Sequence, residues 1–202
     1  MSGQAVSMRA FSQNFVEIAS FAGSDWSPSP TCPIANARHK DIHEICRAYT
    51  GDMARLLVVH HSPTLPTRGI ADAVLTGARL DEIEGVEVIE RAALEATVDD
   101  VLSADGYILG TTANFGYISG ALKHFFDTTF NATHEATTKR PFSYWIHGGY
   151  DTTGAEIAMQ SITTGYGWSL VANPLVFTGA VADEHLSTAE ELGATVAATL
   201  MS

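Results

Sequence analysis

Four groups of residues in this 202-residue chain have types and spacing that suit chemistry. The first is His61-Ser62-Pro63-Thr64-Leu65-Pro66-Thr67-Arg68-Gly69, where hydroxyls recur at every second or third position just before a helical pattern. Free amides at a helix N-terminus, joined by Ser and Thr hydroxyls, make a site for an anion such as a phosphate monoester. The same residues also serve as ordinary helix caps, and both readings stand. No Gly-Lys-Ser/Thr follows, which excludes a Walker loop, and the spaced glycines of a dinucleotide-binding turn are missing. The second group is the stretch Gly110 to Tyr117, and the third is His147 to Glu156. The Gly, Asp and Thr content of the third lets a backbone approach a flat ligand closely. The fourth is Cys32, His39, His43 and Cys46, of which the last three share a helix face with zinc-ligand chemistry. The Cys32 to His39 spacing fits no common finger pattern, and no metal is expected. His60 and His61 end a strand, where packing or a substrate contact is expected rather than a metal.

A regular series of elements positions the first three groups. Leu56 to Val59 is a continuous apolar run, as in a strand buried on both faces. Ile70 to Leu80 reads as a helix, with Ile70, Val74 and Leu75 at core spacing. Val86 to Ile89 is a second strand and Val98 to Ser103 a short helix. Gly106 to Gly110 is a third strand that runs into the loop Thr111 to Tyr117. Ser119 to Phe130 is an amphipathic helix with Leu122, Phe125 and Phe126 on one side. Phe142 to Ile146 is a fourth strand, Ala155 to Tyr166 a helix, Leu170 to Phe177 a fifth strand, and Glu184 to Leu200 the last helix. Five strands alternating with helices predict an α/β, three-layer, doubly wound sandwich around a five-stranded parallel sheet. Ligands of such sheets bind beyond the carboxyl ends of the strands, which is where the first three groups lie.

Residues 1–52 differ from the rest. Ser24 to Thr31 is loop chemistry with two prolines, and Ala35 to Tyr49 has Ile42, Ile45 and Tyr49 at helical spacing. The expected organisation is an N-terminal extension, 1–52, followed by a ligand-binding domain, 53–202. The extension's role stays open between a lid, a dimerisation arm and an upstream addition, and Met53, just before a strand signal, is an alternative initiator.

Lys and Arg number 11 against 23 Asp and Glu, a formal charge of −12. Such a balance argues against sequence-independent binding of nucleic acid, which needs a basic footprint. Most of the acidic excess lies after residue 52. Only two cysteines occur, Cys32 and Cys46, so the main domain carries no thiol. No run reaches the roughly 18 apolar residues of a membrane span. Phe15 to Ala22 is interrupted by Glu17 and lacks a basic flank, so a secretory signal is not expected and the expected compartment is the cytoplasm.

A response-regulator receiver shares the predicted element order but needs acidic residues where this chain has His60-His61-Ser62 and Thr111-Thr112-Ala113-Asn114. A different family fits. Ser62-x-Thr64-x-x-Thr67 resembles the phosphate loop of flavodoxins. Gly110-Thr111-Thr112-Ala113-Asn114-Phe115-Gly116-Tyr117-Ile118-Ser119-Gly120-x-Leu122-Lys123-x-Phe125-x-Asp127 resembles the second flavin loop of flavodoxin-like NAD(P)H-dependent oxidoreductases, the group of FMN reductases and WrbA-type quinone reductases. Gly154-Ala155-Glu156 is similar to the start of the helix after the third flavin loop in WrbA-type proteins. The resemblance covers about the last three quarters of the chain.

The resemblance implies roles. Ser62, Thr64 and Thr67 would hold the FMN phosphate, helped by backbone amides over the stretch Leu65 to Arg68, with Pro66 part of the same turn. Thr112, Ala113, Asn114, Phe115 and Gly116 would run along the flavin ring edge. Phe115 or Tyr117 would pack near the ring or plug the loop base. Gly148, Gly149 and Gly154 would give a close approach, with Tyr150 covering the flavin. Lys123 reads as a solvated helix residue and Asp127 as a structural contact. Three departures stand out. Leu65-Pro66 replaces the glycine-containing phosphate turn, Tyr166-Gly167-Trp168 stands where WrbA-type proteins have a histidine, and residues 111–117 lack the acidic residues and the length expected around a one-electron carrier's flavin. The activity implied is an NAD(P)H oxidoreductase in which FMN carries the chemistry and no side chain is catalytic. NADPH or NADH would be co-substrate and a quinone, flavin or other small molecule the acceptor, in a homo-oligomer, dimer or tetramer. An electron-transfer flavodoxin is the alternative, and a flavin-free scaffold the third.

Overall fold

Alternation of side chains along each strand sends neighbouring residues to opposite faces, and the sheet of this protein is built on that rule. The computed structural model describes residues 53–201; the helix expected over 35–49 and the Cys32, His39, His43, Cys46 group lie outside them. Along β1 (Ala54–His60), Leu57 and Val59 enter one apolar cluster while Leu56 and Val58 enter another. The element order continues α1 (Leu65–Ala78), β2 (Val86–Ala92), α2 (Val98–Ser103), β3 (Gly106–Asn114), β4 (Tyr117–Ile118), α3 (Gly120–Thr133), β5 (Pro141–Gly148), α4 (Thr153–Tyr166), β6 (Ser169–Leu170), β7 (Leu175–Thr178) and α5 (Asp183–Ala198).

The parallel strands lie in the order β2-β1-β3-β5, with β6 and β7 both pairing with β5 at the far edge. This is the doubly wound order, with the chain reversing direction of travel between β1 and β3. Helices α2, α3 and α4 share a cluster with Leu109, Phe125 and Ile146 on one face. Helices α1 and α5 share the other with Ile108, Trp145 and Val196. These two helices meet closely, since a Cβ on Gly193 would stand 2.0 Å from the Val74 carbonyl oxygen.

Three boundaries differ from the sequence reading. Helix α1 begins at Leu65, not Ile70, because Thr64 and Thr67 form a capping box and Pro66 suits a first turn whose amide has no partner to lose. Strand β3 runs on to Asn114 and then turns back antiparallel through β4, so most of the expected loop is hairpin. The expected fifth strand is two short strands. Pro174 has no N–H to give a ladder, and the Ala172 carbonyl between them accepts from Ser143 Oγ at 3.0 Å.

Candidate functional site

The first strand-end loop is shorter than its sequence suggests. Thr64, extended at φ −123° and ψ 159°, is the N-cap of α1. The Thr67 hydroxyl donates to the Thr64 carbonyl at 3.0 Å and accepts from the Thr64 amide at 3.1 Å. Thr67 is buried, so this hydroxyl faces the helix start and not solvent. Thr64 Oγ1 accepts from the Thr67 amide at 3.4 Å, and Arg68 N–H donates to the Thr64 carbonyl. Pro63 and Pro66 have no amide hydrogen. With the Thr67 hydrogen on the Thr64 carbonyl, the Thr64 hydroxyl donates to Thr67 Oγ1 at 2.9 Å. The groups left to face an incoming anion are therefore few: the half-buried Ser62 hydroxyl and the first-turn amide of Leu65.

Beneath this loop lies a polar group that the sequence did not reveal. His60, almost fully buried at the end of β1, has Nδ1 3.0 Å from Ser62 Oγ and Nε2 3.0 Å from Glu90 Oε1. Glu90 comes from the end of β2 and also pairs with Arg68 at 2.8 Å; Arg68 in turn pairs with Asp72 at 2.9 Å. Burial pushes the His60 imidazole below its ordinary value, against the opposing pull of Glu90. Glu90 is held below the usual carboxylate range: burial opposes this, but the His60 hydrogen bond and the Arg68 charge prevail. Strand pairing across β1 and β2 creates this group from residues 30 apart in the chain, and no local pattern marks it.

Next to β1 runs β3. Gly110 gives the Trp145 ring room, for a Cβ there would lie 2.0 Å from it. The Thr111 hydroxyl accepts from the Ser119 amide at 3.0 Å, which ties the hairpin to the start of α3. Thr112 Oγ1 is buried and has no hydrogen-bond partner among the described residues. Ala113 and Asn114 pair with Ile118 and Tyr117, leaving Phe115 and Gly116 as the two-residue turn. Both have positive φ, 51° and 73°, as a tight hairpin turn of the I′ kind requires. Such a φ is strained for an aromatic residue. Phe115 is also fully exposed and Tyr117 partly so. Neither plugs the loop base.

The third loop closes on the second. A Cβ on Gly154 would fall 2.0 Å from the Gly116 carbonyl oxygen, so α4 begins directly against the hairpin turn. Gly148 has Thr152 and the Asp151 carbonyl close by, whereas Gly149 is open. Asp151 accepts from the Thr153 hydroxyl at 2.8 Å and Thr152 donates to Glu156 at 2.7 Å. Tyr150 at the tip is fully exposed. His147 stands opposite Thr112 in the sheet and donates from Nε2 to the Gly179 carbonyl at 2.8 Å.

Other expectations resolve as structure. Lys123 and Asp127 form an ion pair on the surface of α3. Tyr166 and Trp168 are core residues: Tyr166 bonds Thr129 at 2.8 Å, and Trp168 stacks on Tyr107. Among the described residues no group of three or more His, Cys, Asp or Glu side chains is placed to hold a metal, and no helix is long and apolar enough to cross a membrane.

A hydroxyl and an amide beyond β1, an orphaned hydroxyl and two exposed aromatics beyond β3 and β5 thus lie at the carboxyl ends of neighbouring strands in a doubly wound sheet, where proteins of this class bind ligands. No family model matches the chain. It is 36% identical over 113 residues to a flavodoxin of Aquifex aeolicus, a match covering 55% of this chain and 60% of that protein. It is 31% identical over 127 residues to an NAD(P)H dehydrogenase (quinone) of Acidithiobacillus ferrooxidans, covering 50% of this chain and 62% of that one. The chain therefore spans about three fifths of the length of these curated relatives. Among solved structures, a flavodoxin, WrbA-like protein from Agrobacterium tumefaciens superposes with a TM-score of 0.60 at 22% identity, over 73% of this chain and 97% of the other. A flavodoxin from the domain Archaea gives 0.60 at 18% identity, over 72% and 98%. The two solved structures show that the chain has a flavodoxin-like fold.

Proposed function

We propose that residues 53–202 bind FMN at this site and that the protein is an NAD(P)H-dependent oxidoreductase acting on a quinone, flavin or other small acceptor. The observation that carries the reading is the buried, unpartnered Thr112 hydroxyl beside a strained, solvent-exposed Phe115. A buried polar atom without a partner costs on the order of 1–3 kcal/mol, and strain of this kind concentrates at ligand clamps. Both costs are offset when a polar-rimmed aromatic ring lies over the strand ends. The residues fit FMN in two parts. Thr112, Ala113, Asn114, Phe115, Gly116 and Tyr117 face the ring edge from one side, and Gly148, Gly149, Tyr150 and Gly154 from the other. Ser62 and the Leu65 amide would hold the phosphate, while Thr64, Pro66 and Thr67 shape the helix start beneath it.

FMN would supply the redox chemistry here, hydride acceptance from NADPH or NADH and electron delivery to the acceptor. The chain's own part is to bind, orient and shield. Ser62 and the Leu65 amide would donate to the phosphate, the hairpin tip would lie along the ring, and Tyr150 would cover it. No side chain has to act as acid or base. The relative named an NAD(P)H dehydrogenase (quinone) supports this reading, as does a hairpin of only two turn residues without acidic side chains. A homo-oligomer, dimer or tetramer, in the cytoplasm belongs to the same proposal.

A flavodoxin-type electron carrier is the second reading, favoured by the formal charge of −12 and by the relative named a flavodoxin. Acidic carriers dock on basic partners. Stopped-flow mixing separates the two. Rapid bleaching of bound FMN by NADPH or NADH alone is the expected result; bleaching only after a separate reductase is added would assign the carrier role.

A further inference from the structure

The contacts of His60 leave it two different ways to hold Ser62. Its Nε2 faces the Glu90 carboxylate at 3.0 Å, and a carboxylate only accepts. The proton of a neutral imidazole therefore sits on Nε2, and Nδ1 is left as an acceptor. At 3.0 Å from Nδ1, the Ser62 hydroxyl then donates inward, to His60. Its one hydrogen is spent. A phosphate oxygen above the loop also only accepts, so it receives nothing from a serine held this way.

Protonation reverses the arrangement. An imidazolium donates from both nitrogens, to Glu90 and to Ser62 Oγ. The Ser62 hydrogen is then free to turn outward, and the added positive charge lies beneath the anion. The loop has reason to depend on this one hydroxyl: Pro63 and Pro66 bring no amide hydrogen, and the Thr67 hydroxyl is closed into the capping box.

We propose that His60 is a positioning residue for the flavin phosphate, taking up a proton as the phosphate binds and so converting Ser62 from a donor to His60 into a donor to the ligand. The proposal rests on the placement of the FMN phosphate at Ser62. Among the described residues, the charged groups facing His60 are Glu90 from β2, and Arg68 and Asp72 from α1. From β5 it meets the Trp145 ring, with centroids 5.8 Å apart and no charge. Glu90 and Asp72 both pair with Arg68, so the free site carries one carboxylate charge more than its guanidinium balances. A proton on His60 neutralises that excess before a dianion arrives. Burial, which pushes the imidazole below its ordinary value, keeps the free protein neutral at His60 around neutral pH and makes the uptake measurable there.

The test is a fluorescence titration of the flavin-free protein with FMN and with riboflavin across pH 6 to 9, alongside calorimetry of FMN binding in two buffers of different ionisation enthalpy. In the wild type, FMN affinity is expected to fall with rising pH by up to about tenfold per unit, the linkage of one proton, while riboflavin affinity stays level. Calorimetry is expected to show uptake of up to about one proton per FMN. His60→Asn keeps a donor toward Ser62 but does not titrate; it is expected to show only the contribution of the phosphate's own ionisation, with no fall of FMN affinity as pH rises and no proton uptake. Ser62→Ala leaves His60 in place and removes the link, and is expected to lose the slope as well. Matching FMN profiles in the wild type and His60→Asn, or proton release in wild-type calorimetry, overturns the proposal and leaves the flavin reading intact. FMN fluorescence unquenched at every pH overturns both. Equal pH slopes for FMN and riboflavin overturn the link to the phosphate alone.

Discussion

Gly154 at the start of α4 and Gly116 in the β3-β4 turn are in backbone contact, with only 2.0 Å between the Gly116 carbonyl oxygen and the place a Cβ on Gly154 would occupy. That contact joins two of the three loops around the proposed flavin ring. Gly154→Ala cannot be accommodated by a side-chain shift, because the obstacle is backbone. The turn must retreat, at a cost of about 1–3 kcal/mol. Thermal unfolding is expected to occur at lower temperature in this variant, and FMN is expected to bind more weakly. An unchanged midpoint together with unchanged affinity would show that the two loops are not coupled.

Phe115 is expected to trade stability for binding. Its φ of 51° suits Asn or Gly far better than a bulky side chain, and with the ring in solvent no packing offsets the strain. Phe115→Asn is therefore expected to stabilise the flavin-free protein by about 1 kcal/mol while reducing affinity for both FMN and riboflavin. A destabilised Phe115→Asn protein, or one with undiminished flavin affinity, refutes this role for the ring.

Thr112→Val tests the orphaned hydroxyl. Valine has nearly the shape of threonine without the polar atom, so the flavin-free variant no longer pays for burying Oγ1. It is expected to be at least as stable as the wild type and to bind riboflavin less tightly. If Oγ1 has a hidden structural partner instead, the variant loses stability and chemical denaturation shows it at once.

The sequence carried the architecture further than it carried the site. Apolar runs such as Leu56 to Val59 and the helical spacing of Leu122, Phe125 and Phe126 are local signals, and the doubly wound sheet follows from their alternation. The three strand-end loops were legible for the same reason. The helix start at Leu65 was not, because proline at a first turn reads equally as a loop residue. Neither was the contact of His60 with Glu90, since β1 and β2 come together only when the sheet forms. The strain at Phe115 is a backbone angle, for which an aromatic residue gives no warning.

The buried His60 sets a pH dependence of the fold itself. Its folded pKa lies below the unfolded value of about 6.5. Between those two values the unfolded chain binds the proton and the native state does not, so stability rises with pH there and falls as pH drops below about 6.5. In the flavin-free protein this loss is expected to be smaller in His60→Asn, as read by denaturant midpoints at pH 7 and pH 5.5. Identical losses in both proteins would place the acid sensitivity elsewhere.

Two hydroxyls of the first loop should separate by role. Thr67 is buried and bonded at both of its positions to Thr64, so Thr67→Ala removes half of a capping box and is expected to cost about 1 kcal/mol of stability. Its effects on FMN and riboflavin affinity are expected to be alike, because its hydroxyl does not face the ligand. Ser62→Ala removes the hydroxyl that does. That variant is expected to lose FMN affinity by an amount matching one bond to a charged group, about 1.5–3 kcal/mol, with riboflavin affinity nearly unchanged. Paired titrations with the two ligands distinguish a cap from a phosphate ligand, and a selective loss of FMN in Thr67→Ala with none in Ser62→Ala would exchange their assignments.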